Sequence, residues 1–567
     1  MFLQLGRLST TVSNPLRSVY KQTMKRQINT TVKLTETETK LSTLLVEFCN
    51  DYNSDKLEDQ KLELRITGGW VRDKLLGDES NDLDIAINHL LGEEFAGKLL
   101  EYASLKHPDL QLKGVHTIKK NPEKSKHLET CTTKLFGLDV DFVNLRSEKY
   151  TSDSRVPLIE CGTAEEDSLR RDATLNALFY NLNKEQVEDL TGRGLRDLEH
   201  GVLRTPLQPL QTFLDDPLRV LRLIRFASRF NFTVEKETLV AMADNEIKAT
   251  LLHKISRERI GVELEKTLAS PHPAYGVHLI NYVGLTDSIF SFGVLGPELP
   301  KFNSEEDIEK VKALQVEVIK EIDVSTGFWP TFVQSIGNAS GSFASNVREI
   351  LHNKHLQKLL WLSIILHPYG DKKIKGSAKK MGLISVIDLI LKEGLRIGKT
   401  DFEQVSRAIR LASLADNTIR AFFRAPESIL RSQLGLYLME SGSYVGLNLA
   451  VQCFLDMLPY VEFEEFQSTP LPELQSTVKP GTIEVFNLIL TKYEGLIKAI
   501  KDMGLEDVHV TFKPIVDGKV LQKELGRKPG PWLKPVNDAV VVWQLDNPEG
   551  TKEQCLEHIK SIMHQYE

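Results

Sequence analysis

Two carboxylates and two glycines near one another in the sequence have the types and the spacing for chemistry on phosphates. Asp82 and Asp84 stand two residues apart, so on a β-strand both would project from the same face. Carboxylate oxygens suit Mg²⁺ bound jointly with substrate phosphates, and two such ions can hold the attacking and leaving oxygens of a phosphoryl displacement. Gly68 and Gly69 would let backbone amides approach an anion, and Arg72 adds a positive charge beside them. Together the motifs predict nucleotidyl transfer.

Apolar patterns around these motifs predict the elements that would position them. The run LELRI before the glycines predicts a buried strand, and the helical pattern that starts near Val71 would point its positive end at the anion. Leu83, Ile85 and Ile87 alternate with the aspartates and predict a second strand. Glycine pairs and Asp-x-Asp also occur in ordinary turns, but their combination with an arginine favours a functional site. The sequence has neither a GxGxxG motif that opens a helix nor a P-loop.

A third carboxylate is predicted on a later strand. In residues 135–146, LFGLDVDFVNLR, apolar residues alternate with Asp139 and Asp141. We favour Asp141 because it continues directly into the apolar alternation, and Asp139 is the second choice. The polar segment before this strand, NPEKSKHLETCTTK, predicts a loop near the site.

A charged stretch further along would bind the rest of a nucleotide. Residues 165–182 predict an amphipathic helix on which Arg171 and Asp172 lie one turn before Asn176. These side chains would meet a triphosphate and the ribose hydroxyls, and a pocket that binds the 2′-hydroxyl distinguishes ribonucleotides from deoxyribonucleotides. A solvated charged face is the alternative for any one of them. The glycine-rich turn in residues 187–206 predicts a hinge.

The segment FLDDPLRVLRLIRFASRF predicts a second helix with a chemical function. Pro217 suits its first turn, and apolar residues spaced along it form a stripe that would be buried. Asp216 and Arg219 would present a hydrogen-bond acceptor beside a donor, as reading the edge of cytosine or adenine requires. An intrahelical salt bridge is the alternative. The spacing puts four arginines on one side of the helix: Arg219, Arg222, Arg225 and Arg229.

The overall composition is ordinary, but the amino-terminal segment differs from it. The length of 567 residues allows several domains, and a formal charge of −7 argues against a protein that coats itself in nucleic acid. Five scattered cysteines indicate neither disulfides nor zinc, and no apolar run is long enough for a membrane span. Residues 1–35 are basic and rich in serine and threonine, which predicts a mitochondrial presequence, with a disordered basic tail as the alternative. Initiation at Met24 would leave part of the product in the cytoplasm and nucleus.

These motifs resemble those of the eukaryotic, fungal-type CCA-adding tRNA nucleotidyltransferases, in the class shared with bacterial CCA-adding enzymes and poly(A) polymerases. The resemblance covers roughly residues 60–270. GGWVRD with DLD resembles the catalytic motif, RRDATLNA the ribose motif, TGRGLRDL the hinge and DDPLR the nucleotide-template motif. The family usually has Glu where this chain has Asp215. ISRERIGVELEK resembles the motif that closes the neck, where Arg257, Glu258 and Arg259 would brace the helix that carries Asp216 rather than touch substrate.

The resemblance implies an α+β fold in which a small catalytic sheet precedes a mostly helical neck, body and tail. It implies that Asp82 and Asp84 bind two Mg²⁺ ions and that C, C and A are added to the 3′ end of tRNA from CTP and ATP, by a monomer without membrane contact. A poly(A) polymerase or a partial CCA-adding enzyme is the close alternative, and an RNA-binding protein without catalysis is a distant one. The predicted domains are a presequence in 1–35, a catalytic head in 36–195, a neck in 196–290, a body in 291–430 and a tail in 431–567.

The tail contains a basic segment that would contact RNA. Residues 512–536 are rich in lysine around a proline-rich loop, a composition that suits contacts to an RNA backbone. In the family this region grips the tRNA elbow, and a solvated lysine-rich face is the alternative. The candidates are Lys519, Lys523, Arg527 and Lys528.

Overall fold

The structure is a computed structural model, and its contacts divide the chain into two units. The first runs through Thr267 and adds Tyr282–Ser288 and Pro470–Pro472, and the second holds Leu268–Asn281, Ile289–Thr469 and Glu473–Glu567. The finer division into head, neck, body and tail stays a prediction. The structure describes residues 26–29, 31–80, 82–108, 116–118, 130–151, 154–290, 305–375, 383–413, 418–472 and 475–566.

The strands of the first unit come in this order: β1 (Leu64–Thr67), β2 (Asp82–Ile87), β3 (His116–Ile118), β4 (Thr130–Leu135), β5 (Leu138–Asn144), β6 (Arg146–Thr151), β7 (Ser154–Cys161), β8 (Phe179–Asn181), β9 (Gln186–Glu188), β10 (Val202–Leu203) and β11 (Thr233–Val234). In the described residues seven of them form one mixed sheet in the order β3-β4-β5-β2-β1-β8-β9. β2 and β5 run parallel, whereas β1 pairs antiparallel with both β2 and β8. β6 and β7 form a separate antiparallel hairpin.

The first unit contains the helices α1 (Glu36–Tyr52), α2 (Gly69–Leu76), α3 (Gly92–Lys106), α4 (Ala164–Leu169), α5 (Gly194–His200), α6 (Pro209–Asp215), α7 (Leu218–Phe230), α8 (Lys236–Met242), α9 (Asn245–Lys254) and α10 (Arg257–Leu268). Next in chain order, α11 (Pro273–Tyr282) lies almost wholly in the second unit, and α12 (Thr286–Ile289) lies mostly in the first. Local sequence explains where α1 begins. Thr35 Oγ1 accepts a hydrogen bond from the Glu38 amide at 3.2 Å, and Glu38 Oε2 accepts one from the Thr35 amide at 2.7 Å. This reciprocal capping box satisfies amides that the first turn leaves unpaired.

The pattern of buried residues confirms the predicted strand β2 and the predicted helix α7. On β2, Leu83 and Ile85 are buried, while Asp84 between them is partly exposed. On α7 the predicted stripe is also buried, because its members lie on one face of the helix. The stripe comprises Leu218, Leu221, Ile224 and Ala227.

Two sequence predictions about local structure are wrong in part. The predicted helix over residues 165–182 ends at Leu169 as α4; the 3₁₀ turn Thr174–Asn176 and strand β8 follow it. Pairing of Phe179 with Thr67 on β1 adds a strand to the sheet, so tertiary pairing overrides a local helical pattern. The segment predicted as a loop before β5 includes β4, and its remaining residues, 121–129, lie outside the described residues.

The second unit is mostly helical, as predicted. Its core contains Trp329 against Trp361 and Phe328 against Phe454 and Phe486, with ring centroids 4.5–5.2 Å apart. No helix in the described part of the chain is long and apolar enough to cross a membrane. Its further elements are α13 (Glu305–Asn338), α14 (Ser342–His352), α15 (Lys354–Leu366), β12 (Lys373–Lys375), β13 (Leu383–Ser385), α16 (Val386–Leu389), α17 (Lys399–Ser413), α18 (Thr418–Arg424), α19 (Arg431–Ser441), α20 (Val445–Met457), β14 (Phe463–Gln467), β15 (Gln475–Val478), α21 (Pro480–Asp502), α22 (Val508–Thr511), α23 (Gly518–Leu525), α24 (Leu533–Asp546) and α25 (Lys552–Ile562).

Candidate active site

A cavity of about 730 Å³ in the first unit collects the residues that the motifs singled out. Strand β2, the amino end of α2, the turn after α4 and one side of α7 all contribute to its wall. Every residue predicted for catalysis or nucleotide binding lines it: Gly68, Gly69, Arg72, Asp82, Asp84, Asp141, Arg171, Asp172, Asn176, Asp216, Arg219 and Arg222.

The parallel register of β2 and β5 brings carboxylates side by side. Asp84 pairs with Asp141, and Asp82 pairs with Asp139. Asp141 lines the cavity, whereas the Asp139 side chain is 72% exposed and contacts Lys134 at 3.0 Å. Burial, and then the negative charges of Asp82 and Asp141, raise the pKa of Asp84 to about 6. A cation bound between these three carboxylates would reduce their mutual repulsion and favour the ionised form of Asp84.

The donor set fits hard divalent cations that share their coordination with a substrate. Asp82, Asp84 and Asp141 supply only carboxylate oxygens, which Mg²⁺ prefers. Among the described residues no three acidic, histidine or cysteine side chains converge tightly enough to hold a metal ion by themselves. Phosphate or water oxygens would therefore have to complete the coordination, as is usual for Mg²⁺.

The glycine turn at the start of α2 lies against the carboxylates. Gly68 has φ +78°, a left-handed conformation that side chains disfavour, and an added Cβ would lie 3.7 Å from Asp84 Oδ2. Arg171 crosses this corner, since its Nη2 donates to Thr67 Oγ1 at 2.7 Å and to Asp167 Oδ2 at 2.8 Å. The corner thus combines a glycine, the amino end of a helix and a guanidinium.

Arg72 is buried and makes contacts beyond its own helix. Its Nε donates to Asp73 Oδ1 at 2.8 Å, its Nη1 donates to Asn176 Oδ1, and its guanidinium stacks 4.7 Å from the ring centroid of Phe230. Burial lowers the pKa of Arg72 despite the neighbouring carboxylate of Asp73. The side chain therefore connects α2 to both Asn176 and α7.

Asp172, Asn176 and Arg222 form one hydrogen-bonded chain. Arg222 Nε donates to Asp172 Oδ2 at 2.6 Å, and Asn176 Nδ2 donates to Asp172 Oδ1 at 3.0 Å. Burial alone would raise the pKa of Asp172, but Arg222 and Asn176 outweigh it and hold the pKa well below the usual range of a carboxyl. Asp172 is therefore ionised at neutral pH.

Asp216 and Arg219, the predicted base-reading pair, lie at the start of α7 and are both held by contacts to other residues. Asp216 Oδ1 accepts a hydrogen bond from the Leu218 amide at 3.2 Å, and its Oδ2 lies 3.7 Å from Arg259 Nη2. Arg259 on α10 also lines the cavity, and its role in bracing the helix stays a prediction. Arg219, only 9% exposed, reaches Glu148 Oε2 at 3.5 Å through Nη2.

Sequence reasoning missed several residues in the cavity wall. Arg146 and Glu148 come from β6, and Asp167 and Arg170 come from α4 and its end. Asp167 is nearly fully buried and contacts both Arg170 and Arg171. The available signal was the alternation Arg-Ser-Glu in residues 146–148, because two charged residues that are two positions apart share one face of a strand.

The predicted RNA-binding residues belong to the second unit. Lys519 and Lys523 lie one turn apart on α23, where both are exposed while Leu521 is buried. Arg527 is partly exposed and Lys528 is exposed after the helix. Trp532 packs against the cluster that includes Leu521 and donates through Nε1 to the Lys528 carbonyl at 2.9 Å.

Comparisons with known proteins identify the family. Residues 64–204 match the family model described as the poly A polymerase head domain. Residues 231–300 match a model described as the probable RNA and SrmB-binding site of polymerase A.

Solved structures share the fold at low sequence identity. The CCA-adding enzyme of Bacillus stearothermophilus in complex with CTP aligns with a TM-score of 0.56 and 17% identity over 94% of this chain and 99% of its own. The CCA-adding enzyme of Thermotoga maritima in complex with tRNA aligns with a TM-score of 0.52 and 19% identity, over 94% of this chain and 96% of its own.

Full-length relatives are much closer in sequence. The mitochondrial CCA tRNA nucleotidyltransferase of Saccharomyces cerevisiae is 41% identical over 99% of this chain and 100% of its own length. The enzyme of the same name from Candida glabrata is 42% identical over 94% of this chain and 97% of its own length. With this identity over nearly the whole length, the chain belongs to the family of CCA tRNA nucleotidyltransferases.

Proposed function

We propose that this protein adds C, C and A to the 3′ end of tRNA from CTP and ATP, without a nucleic-acid template, and releases pyrophosphate. One observation carries the proposal: a single cavity is lined by carboxylates from two adjacent parallel strands, by a glycine turn and by the arginine-rich side of α7. The names of the fungal relatives and the tRNA and CTP complexes of the bacterial enzymes support the same activity.

Asp82 and Asp84, with Asp141 beside them, would hold two Mg²⁺ ions shared with the substrate phosphates. When bound, the metal supplies positive charge to the α-phosphate and to the oxygens that attack it and leave it. The carboxylates would determine where this positive charge is held, because β2 and β5 fix them side by side. Burial, together with the negative charges of Asp82 and Asp141, raises the pKa of Asp84 to about 6, and a bound cation would favour its ionised form.

The neighbouring residues would bind the rest of the nucleotide. The amides at Gly68 and Gly69 and the guanidinium of Arg171 suit the triphosphate, because all three line the same corner beside Asp84. Arg72 would add positive charge there while it holds Asn176 through its Nη1.

Asp172 is suited to accept a hydrogen bond from the ribose 2′-hydroxyl. Its carboxylate is ionised, and Asn176 and Arg222 fix its position. A ribose hydroxyl that donates to such an oxygen is lost in a deoxyribonucleotide, so the group would favour ribonucleotides.

Asp216 and Arg219 would read the base edge, with Arg222 on the same side of α7. Cytosine and adenine each carry an exocyclic amine beside a ring acceptor, which complements a carboxylate beside a guanidinium. Uracil and guanine would place a carbonyl against the carboxylate, and such a mismatch costs on the order of a few kcal/mol.

The tail and the amino terminus carry two further parts of the proposal. Lys519, Lys523, Arg527 and Lys528 would contact the phosphate backbone of tRNA. Residues 1–35 would direct the longer product to mitochondria, as the names of the two fungal relatives support. Initiation at Met24 would supply the cytoplasm and nucleus.

The test is incorporation of each labelled nucleotide, singly and mixed, into tRNA that lacks its 3′ end, with Mg²⁺ and sequencing of the product. Ordered addition of C, C and A followed by arrest is expected. A long A tail would instead identify a poly(A) polymerase, and addition of only part of CCA would identify a partial enzyme. Tight tRNA binding without any incorporation would favour a binding protein.

A further inference from the structure

Glu148 on β6 is a buried carboxylate that faces three arginines at once. Its Oε1 accepts a hydrogen bond from Arg170 Nη1 at 2.9 Å and lies 3.4 Å from Arg146 Nε. Its Oε2 lies 3.5 Å from Arg219 Nη2. The side chain is only 6% exposed, yet it lines the cavity. One carboxylate therefore connects the end of α4, the start of the β6–β7 hairpin and the helix α7.

The positive charges around Glu148 make its carboxylate important for the orientation of Arg219. Without this carboxylate, Arg219 would keep its attraction to carboxylates on other elements, but it would lose the one that it shares with Arg146 and Arg170, whose like charges would then repel it. Arg170 keeps Asp167 as a second partner, but the Nε of Arg146 is buried and has no hydrogen bond within the described residues. Like-charge repulsion at low dielectric is strong, so Arg219 would turn away from its present orientation.

We propose that Glu148 is a positioning residue for base selection, which holds the guanidinium of Arg219 in the orientation that reads cytosine and adenine. This inference rests on the proposed function, which assigns base reading to Asp216 and Arg219. Glu148 itself would not contact the nucleotide. Its effect would pass through Arg219, whose planar fork donates along fixed directions and loses discrimination when it rotates.

Glu148→Gln should lower the selectivity for CTP over UTP without weakening the binding of nucleotides. Replacing Glu148 with glutamine removes one negative charge from a cavity that must accept a triphosphate, so every nucleotide should bind as tightly as before or more tightly. The same change releases Arg219, so the preference for CTP over UTP should fall. General damage to the fold would weaken the binding of all nucleotides and would not produce this combination.

The experiment measures CTP and UTP binding by calorimetry, and kcat/KM for each in the first addition to tRNA that lacks its 3′ end, with the full-length protein. For Glu148→Gln we expect the CTP/UTP ratio to fall by about tenfold or more, which is about 1.4 kcal/mol or more, with no rise in the KM for CTP. Glu160→Gln is the matched control, because Glu160 is an exposed acid on the same hairpin. It should change neither quantity.

Two further variants separate positioning from structure. Glu148→Asp keeps the charge but shortens the reach by one methylene, so nucleotide affinity should return to that of the wild type while selectivity stays reduced. In an Arg219→Ala background, Glu148→Gln should lower the CTP/UTP ratio no further, because both changes remove the same interaction.

An unchanged CTP/UTP ratio in Glu148→Gln would overturn the proposal, and so would a fully additive loss in the double variant. An equal loss of CTP and UTP binding with a lower Tm would also overturn it. The binding data stand apart from the proposed activity. If the wild type binds CTP in preference to UTP but adds nothing to tRNA, the proposed function fails while the role of Glu148 is still tested.

Discussion

Arg222 Nε donates a hydrogen bond to Asp172 Oδ2 at 2.6 Å, and this contact joins the turn after α4 to the helix α7 across 50 residues of sequence. Both residues line the cavity. The pair keeps an ionised carboxylate in a buried position where an isolated charge would be costly. It also orients the oxygen that we assign to the ribose 2′-hydroxyl, so the two motifs act as one unit.

Asp172→Ala should therefore reduce both sugar selectivity and stability. We expect the ratio of kcat/KM for CTP over dCTP to fall about ten- to a hundredfold, because the acceptor for the 2′-hydroxyl is lost. We also expect a loss of about 1–3 kcal/mol in the free energy of unfolding, because Arg222 and Asn176 lose their partner. Asp172→Asn keeps an acceptor oxygen and should retain part of the selectivity. An unchanged ratio in Asp172→Ala would remove the ribose assignment.

Asp141→Ala and Asp139→Ala should behave differently. Asp141 lines the cavity opposite Asp84, so its removal should lower kcat by about a thousandfold or more, the scale of a catalytic electrostatic group. Asp139 is exposed and contacts Lys134, so its removal should change kcat less than about threefold. Rates of C addition with saturating tRNA and Mg²⁺ provide the comparison. The reverse order of effects would make Asp139 the third carboxylate.

The metal-free protein should lose stability as pH rises through the titration of Asp84. The pKa of Asp84 is about 6 in the folded chain and about 4 when unfolded, so between these values the folded state holds more protons. The free energy of unfolding then falls as pH rises through this window. Asp84→Asn removes the charge, so its Tm advantage over the wild type should grow from about pH 4 to about pH 6 and then level off. Melting curves in a chelator test this, and an advantage that shrinks with rising pH would contradict it.

Lys519→Ala combined with Lys523→Ala should weaken tRNA binding without affecting the chemistry. If each lysine neutralises one phosphate, the slope of log Kd against log salt concentration should decrease by about 2. The kcat at saturating tRNA should stay within about twofold, since neither residue belongs to the cavity wall. Lys498 and Lys501 are exposed on α21, and their double alanine variant serves as the control. Equal effects of the two double variants would favour a general solvated surface.

A product that starts at Met24 should be more stable than one that starts at Glu36. The Arg26 amide donates to the Glu199 carbonyl at 2.8 Å, its Nη2 donates to the Asn231 carbonyl at 3.0 Å, and its guanidinium lies 4.7 Å from the ring centroid of Phe232. Loss of these contacts should cost about 1–3 kcal/mol in the free energy of unfolding.

Thermal melts of the two products measure this difference. Arg26→Ala in the longer product should reproduce part of the loss, because the shorter product also lacks Thr35, which caps α1. Lys33→Ala, at an exposed position, should not change the Tm. Equal Tm values for the two products would show that the segment contributes nothing to stability. A difference would also require presequence cleavage to occur before Arg26 if the mature enzyme is to keep these contacts.

Local periodicity in the sequence determined much of the site in advance. The two-residue period of a strand placed Asp82 and Asp84 on one face of β2, and the period of a helix gathered the arginines on one side of α7. The glycine turn was also predictable, because the left-handed backbone at Gly68 suits glycine above other residues. Each of these features depends on residues within a few positions of one another.

Tertiary structure decided which distant residues meet. Asp141 rather than Asp139 lines the cavity because of where β5 lies beside β2 and because Lys134 engages Asp139. Residues 165–182 leave the helical path because β1 offers a partner to β8. Glu148 meets Arg219 only after the β6–β7 hairpin and α7 have packed. Strand order, register and ion pairing between distant segments depend on the free energy of the whole fold, which no short window of sequence contains.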